Sequence, residues 1–314
     1  MKLPKQFITF LLCNIFITTI LFAQWRSSSI DAVQVVDENL SQTNSQIKKT
    51  NGGQAIISWQ DKRSGSNENI YLQCLNRTGV TDWQLNGVRI SVSEGQQNYP
   101  QSISIDSTII VVWQDNRSGV DYDIYAQKVS KSGELQWTNS GKPVCVATGH
   151  QYNPRLISDG QGGAIVVWQD RRNNTDYNIY AQRLNYDGEP QWGVQGVVVC
   201  SSVYDQFNAQ IVTDGTGGAI IAWHDYSAGN GFIDIYAQRI SSDGNILWSP
   251  ADGIAICNAT NNQNNLQMIS DGFYGAILTW QDRRASFRDD IYAQKINSSG
   301  NALWYINGVP ISTI

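Results

Sequence analysis

The sequence is poor in the residues from which many catalytic and membrane sites are built. In 314 residues it has two histidines, His150 and His224, together with two methionines, seven prolines and five cysteines. Two histidines are too few for a His-rich metal site, and no His-x-x-x-His spacing occurs, so neither a metal nor another cofactor is expected. A nucleophile elbow and a phosphate-binding glycine loop are missing too, because the glycine clusters fall between strand-like runs rather than before a helix. After residue 22 no apolar run approaches the length of a membrane span. Concentrated positive charge is also lacking: the formal charge is −5, and Arg171-Arg172 and Arg283-Arg284 recur at one repeat position instead of forming a basic face. Nucleic acid is therefore not an expected partner.

What is present begins with a targeting pattern. Lys2 and Lys5 precede an apolar run from Phe7 to Phe22 and a small residue, Ala23, so residues 1–23 read as a signal peptide. A lipid-anchored alternative through Cys13 fits poorly, since Leu11-Leu12 stand where small residues are wanted. The expected product is a secreted or cell-surface monomer covering residues 24–314 as a single domain. Its formal charge is −7 once the two lysines of the leader are gone. Export permits disulfides, and Cys74, Cys145, Cys200 and Cys257 remain. The last three occupy one repeat position, about a blade apart and beyond the roughly 7 Å reach of a bridge. Buried free thiols are expected.

The repeat itself is carried by tryptophan and tyrosine. Trp59, Trp113, Trp168, Trp223 and Trp280 each open a Trp-Gln/His-Asp motif, at steps of 54, 55, 55 and 57 residues. Tyr71, Tyr125, Tyr180, Tyr236 and Tyr292 of Ile-Tyr-Ala/Leu-Gln keep the same pace, as do Trp83, Trp137, Trp192, Trp248 and Trp304. Five units of about 55 residues from residue 42 to 314 follow. In the third, Pro154 to Ser158 reads as a strand ended by Asp159-Gly160-Gln161-Gly162-Gly163. Ala164 to Trp168 is a second strand, apolar on both faces, as a sheet covered on two sides requires. Asn178 to Leu184 is a third, and a fourth lies within Trp192 to Ser201. The spacing predicts an all-β propeller of five four-stranded blades. Before the first unit, Trp25 and Ala32 to Val36 read as one extra outer strand over residues 25–36, so an incomplete sixth blade is the alternative.

Asp-Gly-x-Gly-Gly-Ala-Ile-x-x-Trp-Gln-Asp-x-Arg, followed by Asp-Ile-Tyr-Ala-Gln, resembles the TolB-type, WD-like propeller repeat. It is closer still to repeats of exported proteins from Bacteroidota-type bacteria. The resemblance covers residues 42 to 314 and implies the fold without an activity.

Chemistry is expected at one end of the propeller. Gln42, Gln97, Gln151, Gln206 and Gln263 from the entering loops share that end with Asp61, Asp115, Asp170, Asp225 and Asp282. Arg63, Arg117, Arg172 and Arg284 lie there too. Repeated five times, such residues suit structure: Asp organising its hairpin, Arg and Gln linking blades. The fourth unit breaks the pattern, with His224 in place of Gln, Tyr226-Ser227 in place of a basic residue and Arg, and Tyr204 and Phe207 in its entering loop. His224, Asp225, Tyr226, Tyr204 and Phe207 are the candidate ligand site, and no catalytic residue or metal ligand is assigned. The expectation is a non-catalytic binding module for a glycan or an extracellular protein. The alternative is a glycoside-active propeller using aspartates around the axis.

Overall fold

The computed structural model describes residues 33–226, 231–285 and 287–312, so the leader and Trp25 lie outside the described residues. Among the described residues twenty strands form five antiparallel sheets, each of four strands in chain order. This is a five-bladed β-propeller. The first strands are Gln42–Lys49, Gln97–Ile105, Gln151–Ser158, Gln206–Thr213 and Gln263–Ser270. The second are Ala55–Asp61, Thr108–Asp115, Ala164–Asp170, Ala219–Asp225 and Ala276–Asp282. The third are Asn69–Leu75, Asp123–Ser130, Asn178–Leu184, Asp234–Ile240 and Asp290–Ile296. The fourth are shorter: Val88–Arg89, Lys142–Cys145, Val197–Cys200, Ile254–Cys257 and Val309–Ser312. Consecutive blades touch through their first strands, which therefore surround the axis.

The doubly apolar second strands are explained by burial between blades. In the third blade Ala164, Val166 and Trp168 pack toward blade two, while Ile165 and Val167 pack toward blade four. Successive side chains of a strand point to opposite faces, so both alternating sets must be apolar. Each fully buried aliphatic side chain is worth about 1.5–3 kcal/mol, and Ile165, Val166 and Val167 are all inaccessible.

The repeated polar residues form a latch inside blades one, two, three and five. Trp168 Nε1 donates to Asp170 Oδ2 at 2.7 Å, and Arg172 donates to both carboxylate oxygens at 2.8 and 2.6 Å. The guanidinium lies 3.8 Å from the centre of the Tyr180 ring and donates to the Gln195 carbonyl. Four repeated letters of the motif thus hold second, third and fourth strands together. Gly196, just before the fourth strand, has φ +77°, and a Cβ there would lie 2.5 Å from Trp168.

Other repeated residues tie neighbouring blades. The second tryptophan of each of blades one to four donates to a turn carbonyl of the next blade: Trp83 to Lys131, Trp137 to Tyr186, Trp192 to Ser242 and Trp248 to Ser298. The glutamine of Trp-Gln-Asp accepts from a first-strand amide of the next blade: Gln60 from Tyr99, Gln114 from Asn153 and Gln169 from Asn208. That amide belongs to a bulge whose residue has positive φ, 52° at Asn153 and Asn208, a conformation asparagine tolerates.

Two expectations change in detail. Gln151 and Gln206, which open the first strands of blades three and four, bond to backbone carbonyls rather than to side chains of a neighbouring blade. Gln151 donates to Gly149 O and Gln206 to Ser202 and Tyr204 carbonyls, closing their own entering loops. Arginine works chiefly within its blade, through the latch. The four cysteines are buried and free, and burial raises Cys145, Cys200 and Cys257 to about 12, so these thiols are not nucleophiles.

Candidate functional site

Asp170 and its counterparts end the second strands at the same end where the first and third strands begin, since Asp170 faces Gln151 on one side and Asn178 on the other. Two cavities open at this end. One, of about 380 Å³, is lined by Thr175, Asp176, Tyr204, Asp205, Tyr226 and Gly231, and so spans blades three and four. Asp205 Oδ1 accepts the Tyr177 backbone amide at 2.9 Å, and Tyr226 donates its amide to the Asp205 carbonyl at 3.1 Å. Asp176 Oδ2 accepts from the Thr175 hydroxyl at 3.0 Å. Two half-buried carboxylates and two tyrosines therefore share one opening.

Tyr204 is held there at a cost. Its φ is +75°, at the loop position that blades two and three fill with Gly95 and Gly149. A Cβ on Gly95 would meet the Asn116 carbonyl at 2.5 Å, so the position suits glycine. A tyrosine in the left-handed region costs roughly 1–3 kcal/mol, and such strain gathers at functional sites.

The second cavity, of about 450 Å³, is lined by Tyr99, Tyr122, Tyr152 and Tyr177 with the amide side chains of Gln114 and Gln169 among others. The Tyr152 ring lies 5.6 Å from Tyr122 and 6.2 Å from Tyr177, centre to centre. Tyr99 also has positive φ, 54°, where the other four bulges have asparagine. Because Asp176 and Tyr177 are adjacent in the chain, the two cavities lie side by side.

The five residues singled out in the sequence divide. Tyr204 and Tyr226 line the cavity, and Phe207 stacks beneath, 5.4 Å from the Tyr226 ring and 5.3 Å from the His224 ring. His224 is 3 % exposed and serves as the interblade tie, its Nε2 accepting from the Leu266 amide at 3.4 Å. Burial lowers its pKa to about 4, so the ring is neutral near pH 7. Asp225 is buried and accepts from Trp223 Nε1 at 2.9 Å, the structural role of its counterparts. Asp205 and Asp176, which line the same cavity, were not singled out in the sequence. They occupy unequal loop positions with no repeated signal, and only the chain path brings them to Tyr204.

Beneath this end lie two carboxyls of unusual acidity. Asp234 faces Asp225 across the third and second strands, and burial followed by the Asp225 charge raises it to about 6. Asp123 faces Asp115 in blade two, and burial, with Asp121 and Asp115 adding to it, raises it to about 7. Neither Asp234 oxygen has a hydrogen-bond partner among the described residues. No group of three His, Cys, Asp or Glu is placed to hold a metal ion among the described residues.

No protein-family model matches the chain, and no curated protein is similar to it in sequence. Solved structures share the fold. An endo-arabinase from Bacteroides thetaiotaomicron is 15 % identical, with 88 % of this chain and 99 % of that one covered and a TM-score of 0.43. A protein of unknown function from Dyadobacter fermentans is 10 % identical over 85 % and 81 %, with a TM-score of 0.49. An α-L-arabinofuranosidase from Lactobacillus brevis is 10 % identical over 86 % and 93 %, with a TM-score of 0.46. At such identities the likeness concerns the fold alone. Two expectations are corrected. Glycoside hydrolases and a protein of unknown function are named among these neighbours and no TolB or WD-like protein is, so the β-propeller repeat fold stands and the assignment to that family is not supported. The expected non-catalytic binding module is not supported either, since the neighbours named are arabinases and arabinofuranosidases.

Proposed function

We propose that the protein is a glycoside-active propeller enzyme whose substrate occupies the cavity between blades three and four. The observation that carries this reading is the meeting of Asp176 and Asp205 with Tyr204 and Tyr226 in one opening. Glycoside hydrolysis uses two carboxyl groups flanking the scissile bond, one as acid and one as base or nucleophile. Sugar rings present apolar C–H faces that pack on tyrosine, while tyrosine hydroxyls and carboxylates take their hydroxyl groups. The strained backbone of Tyr204 supports the assignment, because a glycine would fit that turn without cost. The leader pattern of residues 1–23 supports action outside the cell, where polysaccharide is met.

The test is turnover by the mature chain on a panel of aryl glycosides, including arabinofuranosides, and of polysaccharides, including arabinan. Asp205→Asn and Asp176→Asn should each lower kcat by on the order of 10²–10⁴-fold, the usual weight of a positioned acid or base. A panel that yields no turnover sinks the reading, as does activity that both variants retain.

A further inference from the structure

At the tyrosine cavity the repeat is broken in a way that leaves hydrogen-bond donors without acceptors. The residue before the third strand is Glu68 in blade one, but Tyr122 in blade two and Tyr177 in blade three. In blade one Glu68 accepts from Gln60 Nε2 at 2.6 Å, so that amide is satisfied. Gln114 and Gln169 are the counterparts of Gln60. The backbone amides of Asn153 and Asn208 donate to their Oε1 atoms, which fixes each oxygen toward the blade junction and each nitrogen away from it. With tyrosine in the place of Glu68, neither Nε2 has an acceptor among the described residues. Yet both side chains are enclosed, 2 % and 6 % exposed, and both line the cavity. Two donors held in position by the junctions suit the oxygens of a ligand.

Tyr99 marks the same cavity independently. The bulge residue of every first strand has positive φ, 50° at Asn44, 52° at Asn153, Asn208 and Asn265, and 54° at Tyr99. Asparagine visits this region readily, and tyrosine does not. The one departure thus falls where the residue lines the cavity, 49 % exposed.

The lining consists of tyrosines, glutamines and asparagines, with no charged side chain among the described residues. Burial raises Tyr122 and Tyr152 above the ordinary tyrosine range, so these hydroxyls stay protonated. Flat aromatic faces beside amide and phenol groups match an uncharged polyhydroxylated ring, its C–H face on tyrosine and its hydroxyls on the amides. Tyr177 joins this cavity to its neighbour: it lines the second, and its amide donates to Asp205 of the first at 2.9 Å.

We propose that the tyrosine cavity is a subsite for an uncharged sugar unit of the same glycan chain whose scissile bond meets Asp176 and Asp205, so that the substrate is a neutral oligo- or polysaccharide. Binding there depends on the cavity alone, whereas its coupling to cleavage rests on the glycoside reading. A chain with carboxylates of its own is disfavoured, because it would bring like charge to Asp176 and Asp205.

The test is isothermal titration of the mature chain with neutral oligosaccharides of two to six sugar units and with oligogalacturonides of the same lengths. Affinity for a neutral series should rise with length as the second cavity fills, and oligogalacturonides should bind at least about tenfold more weakly. Tyr99→Asn installs the residue of the other four bulges, so Tm should hold or rise, while affinity for the longer chains falls about three- to tenfold on loss of the aromatic contact. Length-dependent binding that Tyr99→Asn weakens, found without any turnover, would keep the sugar site and remove its coupling to cleavage. Turnover of aryl glycosides by a chain whose affinity neither grows with length nor responds to Tyr99→Asn would keep the glycoside reading and overturn the subsite. Oligogalacturonides that bind as tightly as the neutral series overturn it too, as does the absence of binding by every series.

Discussion

Blades three and four have the same register through all four strands, yet one end of each is put to different use. In blade three Asp170 is clamped by Trp168 and Arg172, Gln169 ties the next blade, and Asn178 opens the third strand. In blade four the arginine position holds Ser227, the tie is His224, and Asp234 brings a second carboxyl against Asp225. The difference teaches that the repeat supplies rigidity, while departures from it collect where the cavity opens. Polar groups satisfied inside a latch have no capacity left for a ligand.

The largest effect should come from breaking the latch where it is complete. Arg172→Ala leaves Asp170, wholly inaccessible, without its bidentate partner. Removing one member of a buried pair costs about 3–5 kcal/mol, to be read as a fall in the urea midpoint. A loss under about 1 kcal/mol would show that the latch adds little and that blade four has surrendered nothing.

Next comes the carboxyl that blade three lacks. Asp234 is raised to about 6 by burial and by Asp225, against the 3.8 of an ordinary aspartate. A raised carboxyl contributes stability below its unfolded pKa and loses it as pH rises through the folded value, here from about 4 to past 6. Asp234→Asn should therefore stabilise the protein at pH 8 by up to about 3 kcal/mol and leave it little changed below pH 4. Equal gains at both pH values would remove ionisation as the cause. Asp123 titrates near 7 for similar reasons, so the comparison is made against wild type across the same range.

Tyr204→Gly tests whether strain in blade four serves a ligand. It relieves the left-handed tyrosine and should stabilise by about 1 kcal/mol, while KM for a polymeric glycan rises on loss of the ring. Stabilisation without any change in KM would make Tyr204 a mere tolerated departure.

How much of this was legible depends on repetition. Strands, turns and the Trp-Asp-Arg latch recur five times or nearly so, and recurrence turns weak local signals into a strong one. The third-strand bounds Asn178–Leu184 match the reading, whereas the first strand starts at Gln151 rather than Pro154 because pairing continues through a bulge that pattern alone does not reveal. At the site, Tyr204 and Tyr226 were visible as departures from the repeat. Asp176 and Asp205 were not, since nonequivalent loop residues meet only through the path of the chain. His224 misled, because a histidine beside aromatics reads alike whether it faces solvent or closes a junction.

That last residue gives the smallest and most discriminating change. His224→Gln restores the residue of the other four blades, so the tie to the next first strand should survive and stability at pH 7 should move by less than about 1 kcal/mol. Its consequence appears on acidification. Burial lowers His224 from 6.5 to about 4, so its contribution is whole above the unfolded pKa and is lost as pH falls from 6.5 through 4. The variant should then hold more of its stability between those values than wild type does, measured as urea midpoints at pH 7 and 4.5. An identical acid loss in both chains would shift the cause to carboxylates such as Asp61 and Asp282. Burial alone would raise these two, but hydrogen bonds from arginine and tryptophan outweigh it and hold them below the usual range. His224 would then be as silent in titration as the glutamine it replaces.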